Sequence, residues 1–160
     1  MSVNRFVASI STFFTNPVVL SCMTSWFLSQ LIKAVIVLLQ IRKKGFRQVL
    51  EALFWRTGGM PSSHTAVVTC MTASIAFSEG LGSNLFAASL VIALVVMRDA
   101  MGVRRAVGLQ AKAFNLFARQ SAEKLGIDFK AVKEIQGHAP LEVIVGALLG
   151  VFISAAYAWL

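Results

Sequence analysis

The amino-acid sequence predicts an all-α, polytopic membrane protein of about four spanning helices, supplemented by short re-entrant or interfacial helices. Three observations predict it. Hydrophobic residues fill 57% of the 160 positions and charged residues only 14%, far more apolar than a soluble domain of this size needs. Several apolar runs reach or approach the roughly 20 residues that cross a bilayer. The polar segments between them are too short to make a separate soluble domain, so residues 1–160 are expected to form a single integral membrane unit.

Residues 1–16 suit a short interfacial or re-entrant piece that ends at Asn16-Pro17, where Asn caps and Pro occupies a first helical turn. The first spanning helix is expected from Pro17 to Gln40, with Gln30 and Lys33 in its apolar body and the basic cluster Arg42, Lys43, Lys44 behind it. It carries no small-residue cleavage site followed by a polar chain and reads as a retained helix. Phe46 to Arg56 reads as a short helix of mixed faces, broken by Thr57-Gly58-Gly59-Met60-Pro61.

A second apolar helix starts at Ser62-Ser63-His64 and runs to about Glu79, and a third follows the turn at Gly80 to Asn84 and reaches Met97. Residues 109–125 set Phe114, Phe117, Ser121 or Ala122, and Leu125 opposite Lys112, Asn115, Arg119 and Glu123, the pattern of an amphipathic interfacial helix ending at Gly126. Gly137-His138-Ala139-Pro140 opens the last spanning helix, which Tyr157 and Trp159 anchor at an interface.

Fifteen Lys and Arg residues against seven Asp and Glu give a net charge of +8. No basic surface interleaved with aromatic residues accompanies that charge, so nucleic acid is not an expected partner. Topology and anionic lipid are its expected sources, because the basic residues fall in segments that would share one membrane face. That face, from the end of the first helix through Arg56 and from Arg98 to Lys133, is expected to be cytoplasmic, in a cell inner membrane. Cys22 and Cys70 lie in apolar runs as small hydrophobes and make no disulfide framework.

The two histidines of the sequence, His64 and His138, each sit at the start of an expected membrane helix just after glycine or proline. Helix starts present free N–H groups and a positive dipole end, so both point to an anionic ligand such as phosphate. Glu142, four residues after His138, lies on the same helix face and is placed to accept the Nδ1 proton, freeing Nε2 for attack. Arg56, Arg104 and Arg105 supply forks that match phosphate oxygens, and Lys33 adds a point charge. Arg104 and Arg105 serve equally well as positive-inside anchors, and Lys33 as a snorkelling residue. Asp99 is expected to hold one of the arginines. No metal site and no cofactor are expected, because the histidines and scattered carboxylates lack ligand spacing.

Arg56, Gly58-Gly59-Met60-Pro61-Ser62-Ser63-His64, Asp99 through Arg105, and Gly137-His138-Ala139-Pro140-Leu141-Glu142-Val143 with Gly146 resemble the divergent branch of the type 2 phosphatidic acid phosphatase family. Vanadium haloperoxidases are relatives of that family. The resemblance covers nearly the whole chain and implies metal-free cleavage of a lipid phosphate through a phosphohistidine. The family's Pro-Ser-Gly-His motif is similar to Pro61-Ser62-Ser63-His64, which implies His64 as general acid and Ser62 or Ser63 as a phosphate contact. Its closing His-x-x-x-Asp is similar to His138-x-x-x-Glu142, which implies His138 as nucleophile and Glu142 as its orienting group. Ser63 replaces the motif glycine, no compact Lys-x6-Arg-Pro element precedes it, and Val132 stands where an arginine is expected. Lys33, Arg56, Arg104, Arg105 and Lys133 are the expected substitutes.

The expected function is therefore hydrolysis of a membrane lipid monophosphate or diphosphate, with a phospholipid or polyprenyl phosphate as substrate. A polyprenyl diphosphate phosphatase and a catalytically silent phospholipid-binding or transport component are the alternatives. Small residues at Ala87, Ala88, Gly146 and Gly150 suit helix packing within one chain or in a homo-oligomer.

Overall fold

The computed structural model describes residues 3–40, 59–134 and 137–160, and these contain helices and no strand. In chain order the helices are α1 (Val3–Thr15), α2 (Pro17–Gln40), α3 (Ser63–Glu79), α4 (Asn84–Met101), α5 (Val103–Leu125) and α6 (Pro140–Ala158). The expected helix from Phe46 to Arg56 lies outside the described residues.

Local chemistry sets most of these boundaries. Asn16 Oδ1 accepts the Val18 N–H at 2.8 Å, and Pro17 takes the first position of α2, where a missing N–H costs nothing. Ser62 and Ser83 cap α3 and α4 by accepting the N–H groups of Thr65 and Phe86 at 3.4 and 3.1 Å. α5 ends at Gly126, whose φ of 64° is left-handed.

Two boundaries differ from expectation. α4 continues past Met97 through Arg98 and Asp99, and α5 starts at Val103 directly after Gly102 rather than at residue 109. The charged run is thus helix on both sides of one glycine break, which puts Arg104 and Arg105 in the first turn of α5.

Among the described residues, three helical stretches are long and apolar enough to cross a membrane: Pro17–Leu39, Asn84–Leu125 and Pro140–Ala158. In the second, α4 supplies the apolar part, since α5 carries Arg104, Arg105, Lys112 and Arg119. The fourth expected span, α3, has 17 residues and is about 25 Å long, short of the roughly 30 Å hydrocarbon core. Its position compensates for its length: α3 is the central helix, packed against α2, α4 and α6, while α2 and α6 also touch each other.

Most buried positions are small or polar, including Ser21, Ser25, Ser29, Ala34, Ala66, Cys70, Ala93 and Ser154, with Val37, Ile75, Val143 and Ile153 the larger apolar ones, whereas side chains such as Leu39, Leu94, Leu148 and Phe152 face outward. Lipid rewards that inversion, because apolar bulk gains nothing from an interior as apolar as the bilayer and close backbone packing does. A Cβ added to Gly146 would fall 2.5 Å from the Ser62 carbonyl oxygen, and one on Gly150 would fall 2.8 Å from the Cys70 nitrogen. Gly146 and Gly150 therefore pack α6 on α3 within the chain. Ala87 and Ala88 are exposed.

α5 corrects the amphipathic reading. Asn115, expected on the outer polar face, is buried, while Phe114 and Phe117 are exposed. Its Nδ2 donates to the Val132 carbonyl at 2.8 Å and to Glu134 Oε1 at 2.9 Å, and its Oδ1 accepts the Val132 N–H at 2.9 Å. A polar residue was turned inward because its work is to hold the chain returning towards α6.

Candidate active site

The C-terminal end of α2, the N-termini of α3, α5 and α6 and the C-terminus of α4 meet at one end of the helix assembly. At the start of α3, consecutive serines take different tasks. Ser62 is fully buried: its Oγ accepts from Thr65 Oγ1 at 3.0 Å as well as from the Thr65 N–H, and its own N–H donates to the Glu142 carbonyl at 2.9 Å. Its oxygen is held in the helix cap with no surface exposed, and the contact with Lys33 falls to its neighbour, which favours Ser63 of the two serines expected to contact phosphate.

Ser63 Oγ accepts a 3.0 Å hydrogen bond from Lys33 Nζ. Lys33 is only 5% exposed and does not snorkel. An ammonium has three donors, and the hydrogen bond recorded for Lys33 among the described residues uses one, so capacity remains for an anion.

His138 precedes α6 by two residues, because Ala139 is the cap and Pro140 the first helical residue. Its backbone N–H donates to the Ala100 carbonyl at 3.1 Å, which pins the segment to the end of α4. On the other side Gly137 lies against the backbone of Arg105, where an added Cβ would sit 2.6 Å from Arg105 Cβ. Gly137 is thus required by a close approach, and the approach fixes where His138 enters the site.

The residue is 4% exposed, and neither ring nitrogen has a hydrogen-bond partner among the described residues. Burial lowers its pKa below the usual histidine value; the Glu142 carboxylate opposes this, and the charges of Lys33, His64 and Arg104 add to it. Burial therefore favours the neutral ring, beside Lys33 and Arg104.

Glu142 differs from the expected arrangement. Its Oε2 accepts the Ala139 N–H at 3.1 Å, capping α6, and does not hydrogen-bond the imidazole. A carboxylate at the third helical position reaches back to the cap N–H with little strain, and that local geometry prevails here. Glu142 still acts on His138 through its charge.

His64, in contrast to His138, is exposed, and Arg104, Lys33 and Asp99 act on it electrostatically. Arg104 Nε donates to Asp99 Oδ2 at 2.7 Å, the restraint expected of Asp99. The structure therefore brings Lys33, Ser63, His64, His138, Glu142 and Arg104 into one electrostatic neighbourhood. Arg105 contributes its backbone under Gly137 and has an exposed side chain. Lys133 is exposed beside the Asn115 clamp, and neither it nor Arg105 is among the charges acting on the two imidazoles. Arg56 lies outside the described residues. Thr65, Asn115 and the Ala100 carbonyl, which position the site, were not singled out from sequence; Thr65 was legible as the third residue after a Ser cap.

Among the described residues no three His, Cys, Asp or Glu side chains come together as a metal-binding group. No solved structure matches the chain. The chain is 36% identical to the uncharacterized membrane protein YuiD of Bacillus subtilis (strain 168), an alignment covering 91% of this chain and 96% of that protein. A family profile matches residues 14–153, which takes in Lys33, both histidines, the Asp99–Arg104 pair and the glycine face of α6. On that match the chain, an integral membrane protein, belongs to the Divergent PAP2 family.

Proposed function

We propose that the protein hydrolyses a lipid phosphate monoester or diphosphate without metal, through a phosphohistidine on His138. One observation carries the reading: a buried imidazole with no partner on either nitrogen lies beside Lys33–Ser63, His64 and Arg104, groups that suit a tetrahedral anion. An imidazole nitrogen of His138 attacks phosphorus in line, the bond to the lipid oxygen breaks, and His64 donates a proton to that leaving oxygen. Water then attacks phosphorus, giving its proton to His64, and the phosphorus–nitrogen bond breaks with its electron pair returning to His138, which releases inorganic phosphate. Lys33 and Arg104 offset the charge of the five-coordinate phosphorus, and Ser63 orients Lys33.

A phosphate-release assay on purified protein across a panel of phosphatidate, lysophosphatidate and polyprenyl phosphates and diphosphates tests this. Turnover that vanadate inhibits and chelators leave intact is the expected result. Absence of release from every member of the panel would refute it. The Glu142–Ala139 hydrogen bond favours a second reading, a catalytically silent lipid-phosphate binder, since it takes the carboxylate away from the imidazole. Binding without release is its signature. We assign the site to the cytoplasmic face of a cell inner membrane, because the exposed Arg104, Arg105, Lys112, Arg119, Lys124, Lys130 and Lys133 all follow α4 at that end.

A further inference from the structure

From Ser21 to Lys33 every fourth residue of α2 is polar and buried: Ser21, Ser25, Ser29 and then Lys33. Its two ends connect to different places. At the Lys33 end the seam reaches Ser63 and the histidines. At the other end Ser21 Oγ shares a 3.0 Å hydrogen bond with Ser74 Oγ, and Ser74 Oγ a 2.9 Å one with Ser154 Oγ, so a hydroxyl chain joins α2, α3 and α6. Ser74 and Ser154 also line a cavity of about 470 Å³ bordered by Asn16, Glu79 and Tyr157. That cavity is at the start of α2 and the ends of α3 and α6, the membrane face opposite the histidines.

Between the ends, Ser25 is fully buried, and among the described residues its Oγ meets no partner at hydrogen-bonding geometry, the weakly bonding Cys70 thiol being the polar group beside it. A hydroxyl withdrawn from water and left unpaired is costly, and small polar spaces in protein interiors hold water for that reason. Four residues of helix advance about 6 Å, which is the span of two hydrogen bonds through one water. Ser21 and Ser29 donate their hydroxyl protons to the Val18 and Trp26 carbonyls and keep lone pairs to accept from water, and Ser25 between them has its whole hydroxyl to offer.

We propose that the α2–α3–α6 seam binds a file of water molecules from the far-face cavity to Lys33, a polar path that supplies water and protons to the histidine end from the opposite side of the membrane. The inference stands whether or not the site hydrolyses phosphate.

Silver ion, similar to water in size and reactive with hydrated thiols, tests it on the full chain in detergent or proteoliposomes. Ser25→Cys and Ser29→Cys are made singly in a background where Cys22 and Cys70 are alanine, and modification is read as protection from maleimide labelling after denaturation. Thiols at 25 and 29 are expected to react at least about tenfold faster than one placed by Ala93→Cys, an equally buried apolar position, because a thiol ionises only where water reaches it. Ser74→Leu, or Ser154→Leu on a different helix, should slow the reaction by obstructing the far end. Reaction no faster than at position 93 would show a dry seam and overturn the proposal. Fast reaction that neither leucine slows would overturn the connection to the far face.

Discussion

Lys33 Nζ and Ser63 Oγ meet at 3.0 Å across the buried interface of α2 and α3, so a full charge within a membrane helix is anchored by the residue before His64. A cation kept there at a desolvation cost needs a compensating anion for at least part of its working cycle. Lys33→Met should lower turnover about 10²–10³-fold, the usual effect of removing one preorganised group that stabilises developing charge. Retention of normal kcat would remove Lys33 from the chemistry.

The buried imidazole gives a pH prediction. His138 titrates below its ordinary value of 6.5, chiefly through burial, so the neutral attacking form persists into mildly acidic solution. The acid limb of kcat/KM is expected below pH 6.5. Glu142→Gln keeps an acceptor for the Ala139 N–H but removes the charge that favours protonation, and should move the limb further down. In folding, the unfolded chain protonates first; the stability contributed is present above pH 6.5 and is lost as pH falls through the folded value. An acid limb above 6.5 contradicts the assignment.

The two histidines should separate by leaving group. His138→Ala is expected to abolish release from alkyl and aryl phosphates alike, since it removes the attacking atom. His64→Ala should lose about 10²–10⁴-fold on a lipid phosphate but far less on p-nitrophenyl phosphate, whose leaving group needs no proton. Equal losses on both substrates would remove the general-acid role from His64.

Gly146 is a packing residue, and its substitution should act on stability. Gly146→Ala drives a methyl into the Ser62 backbone and should cost about 1–3 kcal/mol in thermal or denaturant unfolding. Gly82→Ala, with nothing within 4 Å, is the control and should change stability by less than about 0.5 kcal/mol. Equal stability of the two variants would mean that α6 is not seated on α3 as described.

Orientation can be read with single cysteines at Gly82 and at Lys130, exposed positions at opposite ends of the assembly, in a background lacking Cys22 and Cys70. An impermeant thiol reagent added to intact cells should label position 82 and spare position 130. The reverse pattern would place the site on the outer face.

The sequence made the membrane helices legible through apolar length, and the site through two histidines next to helix-breaking residues. Ser62 and Ser63 were not separable, because a step of one residue turns a side chain about 100° around a helix, and that turn decides between a cap and a lysine partner. Asn115 was misread for a physical reason: beside a bilayer the exposed face of a helix need not be the polar one. Glu142 carried a legible cap signal, a carboxylate three positions after Ala139, which the catalytic spacing to His138 overshadowed. The buried Ser21, Ser25, Ser29 and Lys33 were equally visible as a period of four, but in sequence alone such serines do not differ from lipid-facing ones.

The packing of α6 on α3 also sets an order of assembly during biosynthesis. While the ribosome is still adding the segments beyond Glu79, the newborn α3 has α2 beside it but not the glycine face that later covers Ser62 and Ala66. The Ser62 N–H has no Glu142 carbonyl to receive it, and His138 has yet to emerge. Each newly made chain therefore passes through the insertion machinery without a complete histidine site, and the proposed phosphate pocket closes only after α6 has docked.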